Sequence, residues 1–386
     1  MNYDLVIVGC GFTGATIAYK AAKDGKKVLI LEKRNHIAGN MYDYIDDAGI
    51  LVQKYGPHSL HTNSDEVYKF VTSISDWDEY ILRARVEILE KYTPSPFNFK
   101  TIDQYYQKDK AEKLKRELSS NYQGRDKVTV VELLNSSNDL IKEYAEFLFK
   151  YDYRPYTAKQ WGIAPEELDV SILKRVPVRL DYKDQYFDDK YQLMPHNSFT
   201  DFFNKMLDNP LIDIKLNTDV RDLVVINEEG IIFNGKKLNI PFVYTAPLDE
   251  LFAYKFGKLP YRSLKFDIKT INVDSYQETS GVAYPMAKGY TRITEYKKIP
   301  VQDIKGRTTI AVEYPVEYGS EFGIEPYYPI LTVESMNKYD KYRKLASKVS
   351  NLFVCGRLGD FKYYNMDDAI LRAFKVYELI CSNERG

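Results

Sequence analysis

The apolar run Leu5-Val6-Ile7-Val8 leads directly into Gly9-Cys10-Gly11-Phe12-Thr13-Gly14. The spacing G-x-G-x-x-G is a weak signal in isolation. Here it follows a buried-strand pattern over residues 3–8 and opens a helix-like stretch over 15–23. It is then answered by Glu32, at the end of a second apolar run over 27–31. That context predicts a strand–turn–helix–strand unit that holds a dinucleotide. Gly9 permits the tight turn, Gly11 lets backbone approach a pyrophosphate, and Gly14 lets the helix close on the strand. Phe12 and Thr13 complete the loop at a helix N-terminus, whose N–H groups and dipole favour phosphate. Glu32 is placed to accept hydrogen bonds from ribose hydroxyls.

The residues after Glu32 separate FAD from NAD. Lys33, Arg34, Gly39 and Asn40 set a basic pair and a Gly-Asn turn directly behind the acid. Such a turn suits the ribityl chain and phosphates of FAD. Near the other end, Gly356-Arg357 follows a strand pattern at 351–355 and precedes a helix pattern that starts at Met366. An NAD dehydrogenase has no use for that return, so the cofactor reading is FAD.

Composition narrows the partners. Lys plus Arg number 54 against 55 Asp plus Glu, a net charge of -1. No global positive field would draw the chain to nucleic acid. The three cysteines, Cys10, Cys355 and Cys381, are widely spaced without metal-ligand pattern, which suits a reducing compartment. No apolar run approaches the roughly 18–20 residues that span a bilayer, and strand-like sequence begins at once. The expectation is a cytoplasmic protein with no metal, no nucleic acid partner and no membrane insertion.

The length suits two or three domains. Apolar residues at three- and four-residue spacing predict helices at 65–73, 101–118, 130–134 and 139–150, whereas 262–333 alternates like antiparallel strands. The expected fold is α/β: a discontinuous Rossmann-like FAD-binding domain with an inserted helical domain and an antiparallel-sheet domain. The FAD-binding parts are 1–63, 199–250 and 339–386. The helical domain is 64–151. The substrate sheet domain is 152–198, with a mobile lid, and 251–338.

The chain resembles the bacterial UDP-galactopyranose mutases. The blocks that carry the likeness are EKRNHIAGN (32–40), KYGPHSLHTN (54–63), PFN (96–98), YTAKQWG (156–162), KRVPVR (174–179), YRSLKF (261–266), YTRI (290–293), EYP (313–315), EPYYP (325–329) and GRLGDFKYYNMD (356–367). Their order along the chain makes the likeness specific. It implies an isomerase that interconverts UDP-galactopyranose and UDP-galactofuranose for cell-surface polysaccharide. It also implies reduced FAD whose N5 attacks the anomeric carbon without net electron transfer, and suggests a homodimer.

The resemblance also assigns roles. Arg175 and Arg292 map onto the two essential arginines, which suit a diphosphate because guanidinium forks match phosphate oxygens. Tyr186, Tyr314 and Tyr363 map onto tyrosines that bond the diphosphate. Tyr156 maps onto the tyrosine that stacks on uracil, with Thr157 beside it, and Trp161 onto the tryptophan of the lid. His58 and His61 map onto histidines at the flavin face, Arg357 onto an FAD-contacting arginine, and Asn98 onto an asparagine on the uridine side. Several positions depart from the pattern. They are Ala38 in the FAD turn, Pro57 and Ser59-Leu60 around the histidines, His196-Asn197-Ser198, Asn365 near the substrate, and Asp152-Tyr153 beside the uridine pocket. Four alternatives stay open: a mutase for UDP-N-acetylgalactosamine, one for dTDP-fucose, a flavin oxidoreductase of the amine-oxidase type, and a non-catalytic sugar-nucleotide sensor that kept the fold.

Overall fold

The computed structural model describes residues 2–161, 177–227, 230–319 and 323–383. Its first layer is a five-stranded parallel sheet with Leu5–Val8 at the centre. Val28–Leu31 and then Ile212–Lys215 lie on one side, Phe242–Tyr244 and Leu352–Val354 on the other. The two central apolar runs are continuous because both faces of the sheet are covered. Leu5, Ile7, Val28 and Ile30 point to a core shared with the helices Phe12–Lys23, Phe199–Leu207 and Met366–Asn383. Val6, Val8, Leu29 and Leu31 point to the opposite core, which includes Tyr339 and Tyr342 of the helix Val333–Ala346. Both ends of the chain therefore build one layer, as the two strand–glycine–helix patterns predict.

A seven-stranded sheet forms the second layer. Its order is Tyr328–Pro329, Tyr261–Ile271, Thr308–Glu317, Arg292–Glu295, Gly281–Ala283, Ala84–Ile88 and Lys91–Ser95. All pairings are antiparallel except that of Gly281–Ala283 with Ala84–Ile88.

The last two strands correct the expectation that 64–151 is helical. Val86 and Ile88 are buried with Glu87 less so between them, and the hairpin closes at Leu89 and Glu90, with φ of 51° and 62°. Two positive φ values make the two-residue turn that strand twist favours, normally written Asn-Gly. Leu-Glu hides that signal. A further short strand, Trp77–Glu79, pairs with Tyr191–Pro195. The helix expected at 101–118 is two helices, Phe99–Tyr105 and Lys108–Asn121, because Tyr106 adopts extended backbone between them. These pack with Val130–Leu134 and Asp139–Leu148 around Leu114, Leu118, Ile141, Tyr144 and Leu148. Among the described residues no helix is long and apolar enough to cross a membrane.

Candidate active site

The loop after the first strand is shaped by what glycine lacks. Gly9 has φ of +94°, and a Cβ there would lie 2.3 Å from Thr245 Oγ1. A Cβ on Gly14 would lie 2.0 Å from the Gly9 carbonyl oxygen. Gly11 differs: its φ is -83°, and the nearest atom to an added Cβ is Gly39 Cα at 3.9 Å. The space beside Gly11 belongs to a cleft of about 1150 Å³, counted out to its open mouth.

Around that cleft lie Glu32, Lys33, Arg34, Asn40, Arg357, Asn365 and Met366, with the loop residues Phe12 and Thr13. Glu32 accepts from the backbone N–H of Cys10 at 2.8 Å and of Arg34 at 2.9 Å, which fixes the carboxylate at the end of its strand. Arg34 donates to Asn40 Oδ1 and to Glu325 Oε2, both at 3.0 Å, and lies over the Tyr55 ring. Its buried Nε has no partner among the described residues. Lys33 pairs with the same Glu325 at 3.1 Å. Burial opposes the charge on Arg34 most, but Glu325, with Tyr55 and Glu32, outweighs it and holds its pKa above the ordinary value. Ala38 takes the left-handed conformation, φ 70°, where glycine is commoner. Phe12 itself is core: its ring packs on Phe203 at 4.9 Å and Phe202 at 6.0 Å, so only the backbone of the loop serves the cleft. Arg357 donates from Nε and Nη2 to the Tyr364 carbonyl, at 3.1 and 2.7 Å, and lies over the Tyr328 ring.

A second cluster centres on Arg292. It opens the strand Arg292–Glu295 and donates to Glu313 Oε2 at 2.5 Å on the neighbouring strand. Glu313 is 2% exposed. Burial opposes the guanidinium's charge most, yet Glu313, with Tyr156 and Tyr186, more than compensates, and its pKa rises. Its Nε is buried without a partner among the described residues. His58, Tyr156, Tyr186 and Tyr296 all feel its charge. The His58 imidazole is half-buried, and its Nδ1 lies 2.8 Å from the Gly56 carbonyl. A carbonyl only accepts, so Nδ1 carries the proton and Nε2 keeps a lone pair. Burial, with Arg357 and Arg292 nearby, pushes its pKa down to about 3; it is a neutral acceptor at ordinary pH. Tyr156 accepts from Gln160 Nε2 at 3.0 Å, and burial raises its pKa.

The family model for UDP-galactopyranose mutase matches residues 152–363, a span that holds every member of the Arg292 cluster except His58. The chain is 36% identical over 388 residues to the UDP-galactopyranose mutase of Mycoplasma genitalium, covering 99% of this chain and 95% of that protein. This chain belongs to the UDP-galactopyranose mutase family. It is also 32% identical over 391 residues to the dTDP-fucopyranose mutase of Escherichia coli, covering 99% of each. A Rossmann-like NAD(P)-binding model matches residues 7–74. A solved structure of reduced UDP-galactopyranose mutase shares the mutase fold, with a TM-score of 0.75 at 14% identity, over 99% of this chain and 94% of that one.

The mutase reading of individual residues divides on geometry. Arg292, His58, Tyr156 and Tyr186 converge, and Thr157 is buried beside Tyr156. Tyr363 stacks on Tyr328 at 4.9 Å. Tyr314 does not join them. Glu313 points to Arg292, and neighbours on a strand point to opposite faces. Tyr314 therefore faces outward, 6.3 Å from the Tyr290 ring. Tyr328 lies between Arg357 and Tyr363 and near Tyr186. Asn98 caps the helix Phe99–Tyr105: Oδ1 accepts from Lys100 N–H at 2.8 Å, and Nδ2 donates to the Lys183 carbonyl at 2.9 Å. Both ends of its amide are engaged within the protein, so it acts through the segment it holds. His61 is held by Asp189 at 3.0 Å and stacks on Phe187 at 3.6 Å, which in turn contacts Tyr186. Arg175 and the lid segment lie outside the described residues, and so does the side chain of Trp161.

Proposed function

We propose that this chain interconverts the pyranose and furanose forms of a UDP-linked galactose, with FAD in the cleft. The observation that carries the reading is Arg292. It is a guanidinium rooted on a buried carboxylate, about a third exposed, and it adjoins the dinucleotide cleft through His58 and Arg357.

The cleft's residues suit FAD. The gap beside Gly11 would admit a pyrophosphate, and the buried Nε of Arg34 has no partner among the described residues. Gly9, Gly11, Gly14 and the helix start would hold the phosphates, Glu32 the ribose, and Lys33, Arg34, Asn40, Arg357 and Met366 the remainder. Reduced FAD bound there would supply the nucleophile for the anomeric carbon.

This chain's own residues serve the other side of the bond that breaks. Arg292, with Arg175, would take up the charge that grows on the diphosphate as the sugar departs. The hydroxyls of Tyr186, Tyr328 and Tyr363 add donors to it. Tyr156 offers a ring to the base, and Thr157 and Asn365 line the approach. His58, neutral and with a lone pair on Nε2, can receive a hydrogen bond without adding charge beside Arg292 and Arg357.

The Escherichia coli relative supports a second reading, a dTDP-fucose mutase. Incubating the dithionite-reduced protein with UDP-galactofuranose or with dTDP-fucofuranose, and separating the pyranose forms by chromatography, decides between them. Conversion of UDP-galactofuranose is expected. Conversion of the dTDP sugar alone would install the second reading, and conversion of neither would reject both.

A further inference from the structure

The helix Arg154–Trp161 carries Tyr156 and, one turn on, Lys159. Asp152 precedes them in the wide turn Phe149–Tyr153. Positions 152, 156 and 159 follow the i, i+4, i+7 spacing that shares one helix face. Lys159 Nζ donates to three backbone carbonyls: Tyr284 at 2.6 Å, Ala287 at 2.9 Å and Tyr290 at 2.8 Å. An ammonium has three N–H donors, so all are used. The three carbonyls belong to one loop, 284–291, between the paired strands Gly281–Ala283 and Arg292–Glu295. The residue that follows the loop is Arg292.

We infer that Lys159 is the positioning residue for Arg292: it pins the hairpin loop to the helix that carries Tyr156, and so fixes the register of the diphosphate arginine against the substrate side. An alternative would be a surface lysine resting on whatever lies near. The geometry argues otherwise. Three convergent charge-assisted bonds at 2.6–2.9 Å are the short, strong kind; the last loop residue, Thr291, is tied to Glu313 by its N–H at 2.9 Å and by Oγ1 at 3.1 Å, but bonds inside the loop are few. Within the loop, Tyr284 N–H bonds Thr291 O at 2.9 Å and Ala287 N–H bonds Tyr284 O at 3.3 Å. The Lys159 ammonium supplies more loop contacts than these two backbone bonds. Asp152, in the preceding turn, is its acidic neighbour, and burial raises the Asp152 pKa to about 7. On the hairpin side the groups that meet it are carbonyls, with Lys288 exposed in the loop itself.

Arg292 cannot be placed by Glu313 alone. That contact fixes one Nη, while Nε is buried without a partner among the described residues. The direction of the guanidinium fork therefore depends on the backbone from which it springs. A displacement of about 1 Å at a catalytic centre can cost 10²-fold in rate.

The consequence for turnover rests on the function proposed above, whereas the clamp itself does not. The test is a double-mutant cycle of Lys159→Met and Arg292→Ala on the full-length, FAD-loaded protein. The readouts are UDP affinity by calorimetry and kcat/KM for UDP-galactofuranose, with hydrogen exchange of the 284–292 amides alongside. In the Arg292-containing background, Lys159→Met is expected to lower kcat/KM by about 10- to 100-fold and to speed exchange in 284–292. In the Arg292→Ala background it should cost almost nothing, because coupled residues are not additive. Should Lys159→Met fail to stay folded by its melting curve, Lys159→Gln, of similar reach and with an N–H donor, replaces it in the same cycle. Additive losses, or unchanged exchange in 284–292, would overturn the assignment. Should the wild type neither bind UDP nor turn over, the functional reading fails, and the exchange data still decide the clamp.

Discussion

Gly11 and Gly14 sit three residues apart in one loop, yet they should fail in different ways when given a methyl group. At Gly14 the new carbon would lie 2.0 Å from the Gly9 carbonyl oxygen, 3.1 Å from its carbon and 3.2 Å from Ile7 Cγ2. Real Cβ contacts essentially never fall below 3.0 Å, so helix and strand must part by about 1 Å. Overpacking of this kind costs about 1–3 kcal/mol. Gly14→Ala should therefore lose thermal stability even without FAD. At Gly11 the backbone is already ordinary, φ -83°, and the nearest atom is 3.9 Å away. Replacing a glycine at a compatible φ stabilises by about 0.4–1 kcal/mol through the unfolded chain. The space the methyl enters is the cofactor's. Gly11→Ala should melt at or slightly above the wild-type temperature as apoprotein and bind FAD roughly 5- to 150-fold more weakly, the affinity equivalent of about 1–3 kcal/mol. Flavin absorbance after dialysis and melting curves of the apoproteins read both. An apo Gly11→Ala that unfolds, or one that retains FAD like the wild type, would refute the reasoning.

Three further outcomes follow. Tyr328→Phe should weaken UDP binding by roughly 2- to 12-fold, the equivalent of one hydrogen bond at about 0.5–1.5 kcal/mol, while Tyr314→Phe leaves it unchanged in calorimetry; the reverse would restore Tyr314 to the site. Glu313→Gln keeps shape but removes the counter-charge from Arg292, and a fall in kcat/KM of about tenfold or more is expected; a wild-type value would show that Arg292 orients without it. His58 has a folded-state pKa depressed from 6.5 to about 3. Its contribution to stability is thus present above pH 6.5 and lost as pH falls through that window. His58→Asn should flatten the pH dependence of apoprotein melting between pH 7 and pH 4. Parallel curves for the two proteins would mean that His58 is not held neutral.

Much of the nucleotide layer was legible because its signals are local. Gly9, Gly11, Gly14 and Glu32 lie within 24 residues, and each stands where the turn chemistry needs it. The partner of the basic pair was not legible, since Glu325 is 291 residues from Arg34 in sequence and only tertiary folding brings it there. The Leu89-Glu90 turn was hidden by side chains that do not advertise positive φ. The facing of Tyr314 is legible by alternation: on a strand where Glu313 turns inward, its neighbour turns outward. The same alternation could not have found Tyr328, whose strand is only two residues long and owes its place to pairing with Tyr261 and Arg262.

The central claim is a rearrangement that needs electrons in the cofactor but consumes none. Anaerobic protein reduced once, stripped of excess reductant and mixed with many equivalents of UDP-galactofuranose, tests it in a single measurement of product and flavin absorbance together. The account predicts many turnovers per flavin with the flavin still reduced at the end, and no product from the oxidised protein. Product limited to one equivalent as the flavin reoxidises, or equal turnover by the oxidised protein, would contradict it.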